Sequence, residues 1–188
     1  MRRWPVLLLA LAMSACAEPP HKEMDQAQGA IDAARAAGAE RYATGEYTAA
    51  TTALENSNDA VAARDYRLAL NYALESAEHA QNAARLAANT KAQVRAEVER
   101  SMAEIAALLA QANMRLPAAR RRLPARTLRQ PSADIASANA DVQEAGEAVK
   151  ADDYLTALMQ LEGVKERIEK ALATIEEAMA PPAARRRR

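Results

Sequence analysis

The residues whose types could do chemistry are two histidines and the carboxylates near them. His79 lies four positions after Glu75, a spacing that places both side chains on one face of a helix. A metal site would need several ligands converging from two helices, and the second histidine, His21, is remote in sequence. We therefore interpret Glu75 and His79 as part of a solvated helix face and expect no metal site.

The sequence offers no catalytic constellation of another kind. Asp152 and Asp153 are adjacent carboxylates, but a position at the start of a helix explains them better than acid–base catalysis. No serine or cysteine has a base at suitable spacing. The five glycines are isolated from one another, which excludes a Gly-rich phosphate-binding loop. We expect no catalytic residues and no cofactor, and therefore no enzyme.

The N-terminus has the pattern of a targeting segment. Arg2 and Arg3 precede an apolar run at residues 6–12, which is too short to span a membrane. Small residues follow, and then Cys16, the only cysteine, so a disulfide within the chain is impossible. This order resembles a bacterial lipobox, in which the peptide is cut before the cysteine and the cysteine carries lipid. The alternative is an ordinary secretion signal with a chance cysteine.

The lipobox resemblance implies a location. Residues 1–15 would be a signal peptide, and Cys16 would carry acyl chains (palmitate among them), with residues 16–21 as a tether. Ala17 follows the cysteine in place of an aspartate, which resembles outer-membrane lipoproteins of Gram-negative bacteria. We expect a protein of the cell envelope, lipid-anchored to the outer membrane and facing the periplasm.

The remaining sequence predicts an all-α fold. Apolar residues recur at helical spacing, alternating β-branched runs are absent, and no proline or glycine occurs between Gly45 and Pro117. We expect helices at 22–42, from a Thr44 N-cap to about 61, at 65–114 with a possible break near Asn89, at 132–151 and at 153–180. The expected architecture is antiparallel hairpins around one long central helix, packed in the manner of tetratricopeptide-like helical repeats, without a sheet.

One phrase occurs twice in the chain. Residues 60–70 (AVAARDYRLAL) and residues 148–158 (AVKADDYLTAL) agree at seven of eleven positions. Each copy carries an aspartate suited to a helix N-terminus, a tyrosine in the first turn and an alanine that leaves room for a partner helix. We interpret both copies as structural corners of αα-hairpins. The corner residues are Asp65, Tyr66, Ala69, Asp153, Tyr154 and Ala157.

Residues 22–91 resemble a known family. The segment contains AIDAARAAGAERYA, then a tyrosine-led helix, a DY-x-x-A corner and an alanine-rich third helix. These features resemble the family called "domain of unknown function 4398". Its members are typically envelope proteins of Gram-negative bacteria, often lipoproteins. The resemblance implies no catalytic residues.

Arginines are concentrated in two places. Residues 115–129 contain six arginines and no acid, and residues 185–188 are four more, while the rest of the chain has an excess of acid. Three prolines predict that residues 117–131 form a linker between a three-helix segment at 22–116 and a hairpin at 132–180, before a disordered tail at 181–188. The linker arginines are Arg115, Arg120, Arg121, Arg122, Arg126 and Arg129.

Two functions of different class remain open. The first is a lipid-anchored, non-enzymatic helical scaffold or adaptor that binds envelope proteins. The second is a binder of anionic envelope material, phospholipid or lipopolysaccharide, through the arginines. The alternative interpretation of the arginines is a soluble connector between helices. Nucleic acid is disfavoured by the location and by the acidic body. An apolar stripe is either a homodimer seam or core: Val94, Val98, Met102, Ile105 and Leu109.

Overall fold

The computed structural model describes residues 18–180, and every regular element in that range is an α-helix. The expected all-α class with a long central helix is confirmed. The expected signal peptide at 1–15, the expected lipidation site Cys16 and the expected disordered tail at 181–188 lie outside the described residues. The helices are α1 (His21–Ala36), α2 (Ala39–Tyr42), α3 (Thr44–Ala62), α4 (Tyr66–Arg122), α5 (Ala125–Lys150), α6 (Tyr154–Leu161) and α7 (Val164–Met179).

The chain divides into two compact units within helix α4. Unit 1 is Met1–Thr90 and unit 2 is Lys91–Arg188. Helix α4 is continuous through Asn89, so the helix break considered there does not occur. The boundary between the two units nevertheless falls beside Asn89. The expected boundary at 116/117 is also wrong. The alanines of α4 before residue 90 belong to one core, and the larger apolar residues after it belong to the other.

The core of unit 1 consists mostly of alanine. Fully buried positions along α3 and α4 carry alanine or serine, which lets the two helices approach closely. The hydroxyl of Ser57 donates to the Ala69 carbonyl at 2.8 Å, and that of Ser76 donates to the Ala50 carbonyl at 2.7 Å. A buried hydroxyl without a partner would cost about 1–3 kcal/mol. These two bonds therefore satisfy both serines, and each joins a side chain of one helix to the backbone of the other.

Gly38 divides the helix expected at 22–42. Its φ of +83° is left-handed, which ends α1 and starts α2, and an added Cβ would lie 3.3 Å from Cδ2 of Tyr42. Thr44 is not the N-cap of α3 as expected. It is the first residue of that helix, and its hydroxyl donates to the Glu40 carbonyl at 3.0 Å. The short α2 supplies that carbonyl, so the turn closes one residue earlier than the sequence suggests.

Unit 2 has a conventional core of larger side chains. Val98, Ile105 and Leu109 are buried in it, with Val94 and Met102 packed against it at the edge. The stripe is therefore core of the unit, which is the second of its two expected interpretations. Burying a side chain of this size contributes about 1.5–3 kcal/mol, so unit 2 gains more per residue than the alanine core of unit 1.

The expected linker at 117–131 is wrong. Pro117 lies inside α4 and Pro131 lies inside α5, and only Leu123 and Pro124 connect the two helices. A proline in a helix interior costs about 3 kcal/mol. The helical spacing of apolar residues continues past both prolines, and Leu116 and Leu128 near them are buried. The free energy gained by that burial offsets the cost of the prolines.

The helix expected at 153–180 is also two helices. Gly163 adopts a φ of +72°, so α6 ends at Leu161 and α7 begins at Val164. Met159 on α6 is 74 % exposed, whereas Leu161 and Val164 on either side of the turn are buried. The change of direction at Gly163 opens a groove within unit 2, whose lining is described below.

Candidate functional site

The first copy of the repeated phrase forms a helix end and a helix start in succession. Arg64 has a φ of +63°, its N–H donates to the Val61 carbonyl at 2.9 Å, and the N–H of Asp65 donates to the Ala60 carbonyl at 2.9 Å. This pair of bonds is a Schellman cap of α3. Oδ1 of Asp65 then accepts from the N–H of Leu68 at 3.0 Å and caps α4.

The second copy has the same geometry. Asp152 has a φ of +61°, its N–H donates to the Val149 carbonyl at 3.0 Å, and the N–H of Asp153 donates to the Ala148 carbonyl at 2.9 Å. Oδ1 of Asp153 accepts from the N–H of Thr156 at 3.1 Å and caps α6. Both aspartates of this pair therefore have structural roles, because Asp152 also accepts a hydrogen bond from Lys91 that lowers the pKa of its carboxyl.

The tyrosines and alanines of the corners are placed as follows. Tyr154 is buried, and the Arg95 guanidinium lies 5.9 Å from the centre of its ring. Tyr66 is half-buried. Ala69 and Ala157 are fully buried. Close approach by a neighbouring helix is visible at Ala69, because its carbonyl accepts the hydroxyl of Ser57 from α3.

His79 is partly exposed on α4, with 33 % of its side chain accessible, and it has a partner on another helix. Its Nδ1 donates to Oε2 of Glu46 at 2.8 Å, which joins α4 to the first turn of α3. Glu75 is 3.8 Å from the other ring nitrogen. The hydrogen bond to Glu46 and the nearby charges of Glu46, Glu75 and Glu78 raise the pKa of His79 above its ordinary 6.5, against the effect of burial. Within residues 18–180, no group of three or more acids, histidines or cysteines is arranged to hold a metal ion.

The arginines expected in a linker lie instead at a helical corner. Arg115 pairs with Glu176 of α7 at 2.6 Å. We call the other five the arginine corner, and their exposed guanidinium groups have no acidic partner among the described residues: Arg120, Arg121, Arg122, Arg126 and Arg129. The structure therefore separates one arginine that pairs with another helix from five that face solvent.

Helix electrostatics distinguish two halves of the arginine corner. Arg120, Arg121 and Arg122 lie in the last turn of α4, where the helix dipole favours positive charge. Arg126 lies in the first turn of α5, which contains no acid, and positive charge is unfavourable there. A pocket of about 340 Å³ lies beside the corner and is lined by Arg120, Arg129 and Ser132 together with apolar side chains. The α4 arginines thus have a structural explanation, and Arg126 has none.

Unit 2 also contains the acidic groove, a cavity of about 490 Å³ between α4 and the turn that joins α6 to α7. Its floor is apolar and its rim carries four glutamates and one lysine. The Lys165 ammonium donates to Oε2 of Glu104 at 2.7 Å, which raises the pKa of Lys165 and lowers that of Glu104. The residues of the groove that the later argument uses are Glu97, Glu104, Ile105, Met159, Glu162 and Glu166.

Sequence reasoning missed three of these features. Glu46 and His79 are 33 positions apart, and neither alone signals a pair. Ser76 is buried, although it looks in sequence like an ordinary polar residue of a helix surface. The acidic groove depends on the turn at Gly163, and an isolated glycine in a helical pattern gives only a weak indication of a turn.

The expected lipidation site, Cys16, lies outside the described residues. None of the helices in the range 18–180 carries an apolar stretch sufficient to cross a membrane. No curated protein and no solved structure is similar enough to this chain to count as a match.

Comparison with protein families gives one match. The sequence model of the family described as "Domain of unknown function (DUF4398)" matches residues 22–98, which covers α1 to α3 and the first part of α4. The resemblance expected over residues 22–91 is confirmed and extends seven residues further. Residues 22–98 of this chain are therefore similar to the DUF4398 family.

Proposed function

We propose that the protein is a lipid-anchored, non-enzymatic helical scaffold or adaptor of the Gram-negative cell envelope, held at the outer membrane and facing the periplasm. The anchor rests on the lipobox pattern that ends at Cys16, the only cysteine of the chain. The adaptor role rests on three partly exposed leucines of α4 in unit 1. The family carries no known function and adds nothing on partners.

The observation that supports the adaptor role is that small side chains are buried and large apolar ones are exposed, which is the reverse of the usual arrangement. In unit 1 alanine and serine fill the buried positions of α4, whereas Leu68, Leu74 and Leu86 are 40 %, 53 % and 45 % exposed. Full burial of a leucine side chain contributes about 1.5–3 kcal/mol to stability. Because these three leucines stay about half exposed, folding of unit 1 gains only part of that free energy. A protein partner that covers these leucines would recover it.

Crosslinking followed by pull-down from envelopes tests this function. The native chain is compared with Cys16→Ser and with the triple variant Leu68→Gln, Leu74→Gln, Leu86→Gln. We expect the cysteine variant to leave the membrane fraction and the triple variant to stay there but lose its crosslinked partners. Met114→Gln, at an apolar residue in unit 2 that is 74 % exposed, is the matched control and keeps them. A cysteine variant that fractionates with membranes contradicts the lipid anchor.

The alternative function is binding of anionic envelope material, either phospholipid or lipopolysaccharide, through the arginine corner. The observation in its favour is Arg126, which opposes the dipole of α5 and has no acidic partner among residues 18–180. An anionic headgroup beside the N-terminus of α5 would remove this conflict, since both the arginines and the helix end attract negative charge.

Sedimentation with vesicles tests the alternative. Vesicles that contain phosphatidylglycerol are compared with vesicles of phosphatidylcholine alone. Arg126→Glu suits the helix dipole, so it stabilises α5 by about 0.3–1 kcal/mol while it weakens vesicle binding. A triple variant at Arg120, Arg121 and Arg122 to alanine also weakens binding. The matched control is Arg100→Glu, on α4 outside the corner. Equal loss in the control variant contradicts a specific role of the corner.

A further inference from the structure

We propose that the acidic groove of unit 2 binds a basic amphipathic segment of a partner protein. The floor of the groove is apolar, with Ile105 of α4 on one side and Leu158 and Leu161 of α6 on the other. A volume of about 490 Å³ is within the usual range of binding pockets and accommodates one or two large side chains. The groove is built because Gly163 turns the chain between α6 and α7.

Met159 is a large apolar side chain in the lining of the groove that no described residue covers. It is 74 % exposed at the rim, although the neighbouring apolar residues of α6 contribute to the core. Methionine is flexible and polarisable, so it adapts to partner side chains of different shape. A partner that inserts a leucine or a methionine above Ile105 would cover Met159 as well. The apolar part of the groove therefore fits the apolar face of a peptide segment.

The charge of the rim sets the chemistry of the partner. Four glutamates surround the floor, and the only cation among the described lining residues, Lys165, is already paired with Glu104. The carboxylates of Glu97, Glu162 and Glu166 form no ion pair with a described residue, although the charge of Glu166 helps to raise the pKa of Lys165. An apolar floor with more carboxylates than cations around it attracts arginine or lysine side chains and repels anionic lipid.

Helix stability does not account for all of this acid. Glu166 lies in the first turn of α7, where the helix dipole favours it. Glu162 lies between the end of α6 and the start of α7, so the dipoles of the two helices act on its charge in opposite senses, and Glu97 lies in the interior of α4. Glu97 therefore supplies a charge to the groove that no helix end explains.

This inference deepens the scaffold proposal and rests on it, because it names one surface and the chemistry of its partner. The two fail separately. Peptide binding in solution needs no lipid anchor and none of the exposed leucines of unit 1. A groove that binds no basic peptide leaves the proposal for the exposed leucines of α4 unaffected. Conversely, a chain that captures no envelope partner still binds the peptide if the groove is correct.

Fluorescence anisotropy with the purified full chain tests the groove. The probe is a short fluorescein-labelled peptide that repeats Leu-Arg-Arg-Leu three times, and its control repeats Leu-Glu-Glu-Leu. The triple variant Glu97→Gln, Glu162→Gln, Glu166→Gln removes the unpaired carboxylates. Its matched control, Glu55→Gln, Asp59→Asn, Glu144→Gln, changes the net charge equally at exposed residues outside the groove. Met159→Asp tests the apolar rim, and circular dichroism checks that each variant is folded.

The expected result is binding of the basic peptide alone. We expect the groove triple to weaken it about tenfold or more, and the control triple to change it less than about twofold. Binding weakens as salt is added, because the attraction is partly between exposed charges. Met159→Asp weakens it despite adding a negative charge. No binding, equal loss in both triples, or stronger binding with Met159→Asp each overturns the proposal.

Discussion

Arg64 and Asp152 adopt the same left-handed backbone conformation, with φ of +63° and +61°, at equivalent positions of the two copies of the repeated phrase. Each lies one residue before an aspartate that caps the next helix. Each copy of the phrase therefore ends one helix with a Schellman motif and, directly after it, starts the next helix with an aspartate N-cap. Two similar eleven-residue segments form the same corner in both units because its geometry depends only on local hydrogen bonds.

Arg64→Gly tests the cost of this conformation. A left-handed non-glycine residue costs about 1–2 kcal/mol, and glycine removes the strain while adding entropy to the unfolded chain. We expect the free energy of unfolding to rise by about 0.5–1 kcal/mol in urea titrations. Arg85→Gly, in the interior of α4, is the control and lowers it by about 1 kcal/mol. Destabilisation by Arg64→Gly would show that its side chain has a role beyond the turn.

A pair of glycines in unit 2 tests the turn that opens the acidic groove. Gly163 has a φ of +72°, so Gly163→Ala lowers the free energy of unfolding by about 1 kcal/mol or more. Gly146 lies inside α5 with nothing within 4 Å of an added Cβ, so Gly146→Ala raises it by about 0.5–1 kcal/mol. Opposite signs in denaturant unfolding are the expected outcome, and a stabilising Gly163→Ala contradicts the turn.

Ser76 tests the close packing of α3 on α4. Ser76→Ala removes the hydrogen bond to the Ala50 carbonyl and lowers the free energy of unfolding by about 1 kcal/mol. Ser76→Val also overpacks the interface, which adds about 1–3 kcal/mol. Thr52→Val, on the exposed face of α3, changes it by less than about 0.5 kcal/mol. In calorimetry we expect Ser76→Val to destabilise most, Ser76→Ala less and Thr52→Val least. Equal destabilisation by Ser76→Ala and Ser76→Val would contradict close packing at this interface.

His79 makes the stability of unit 1 depend on pH. The hydrogen bond with Glu46 raises the pKa of His79 above 6.5, so the folded state binds this proton more tightly than the unfolded state. The resulting stabilisation is fully present below pH 6.5 and is lost as the pH rises through the higher pKa of the folded state.

Two measurements check this pH dependence. An NMR titration of the imidazole Cε1–H proton gives a pKa above 6.5 in the native chain and a lower one in Glu46→Gln. Urea unfolding between about pH 6 and 9 shows a decrease in stability with pH that is smaller in His79→Gln. An unchanged titration in Glu46→Gln contradicts the pairing.

Local signals predicted the parts of the fold that local bonds determine. Asp65 and Asp153 cap helices because their side chains reach the backbone three residues ahead, and this is visible in sequence. Pro117 and Pro131 suggested a linker, but burial of the surrounding apolar residues keeps both inside helices. A rule about one residue cannot include the packing energy of its neighbours.

The candidate site was less predictable than the fold. The arginines were visible as a cluster, but which of them is paired depends on Glu176, a residue 61 positions away from Arg115. The acidic groove joins α4 to a turn that the sequence places inside one helix. Both features arise from contacts between distant segments, which a single sequence does not display.

The alanine core of unit 1 limits how this protein can change over time. A core of leucines tolerates exchange among residues of similar volume, because a loss at one position is compensated at another. Ala27, Ala73 and Ala80 have no such freedom, since almost every substitution is larger and glycine costs about 1 kcal/mol in a helix. Mutational drift in unit 1 is therefore confined to its outer surface, where any partner would meet it.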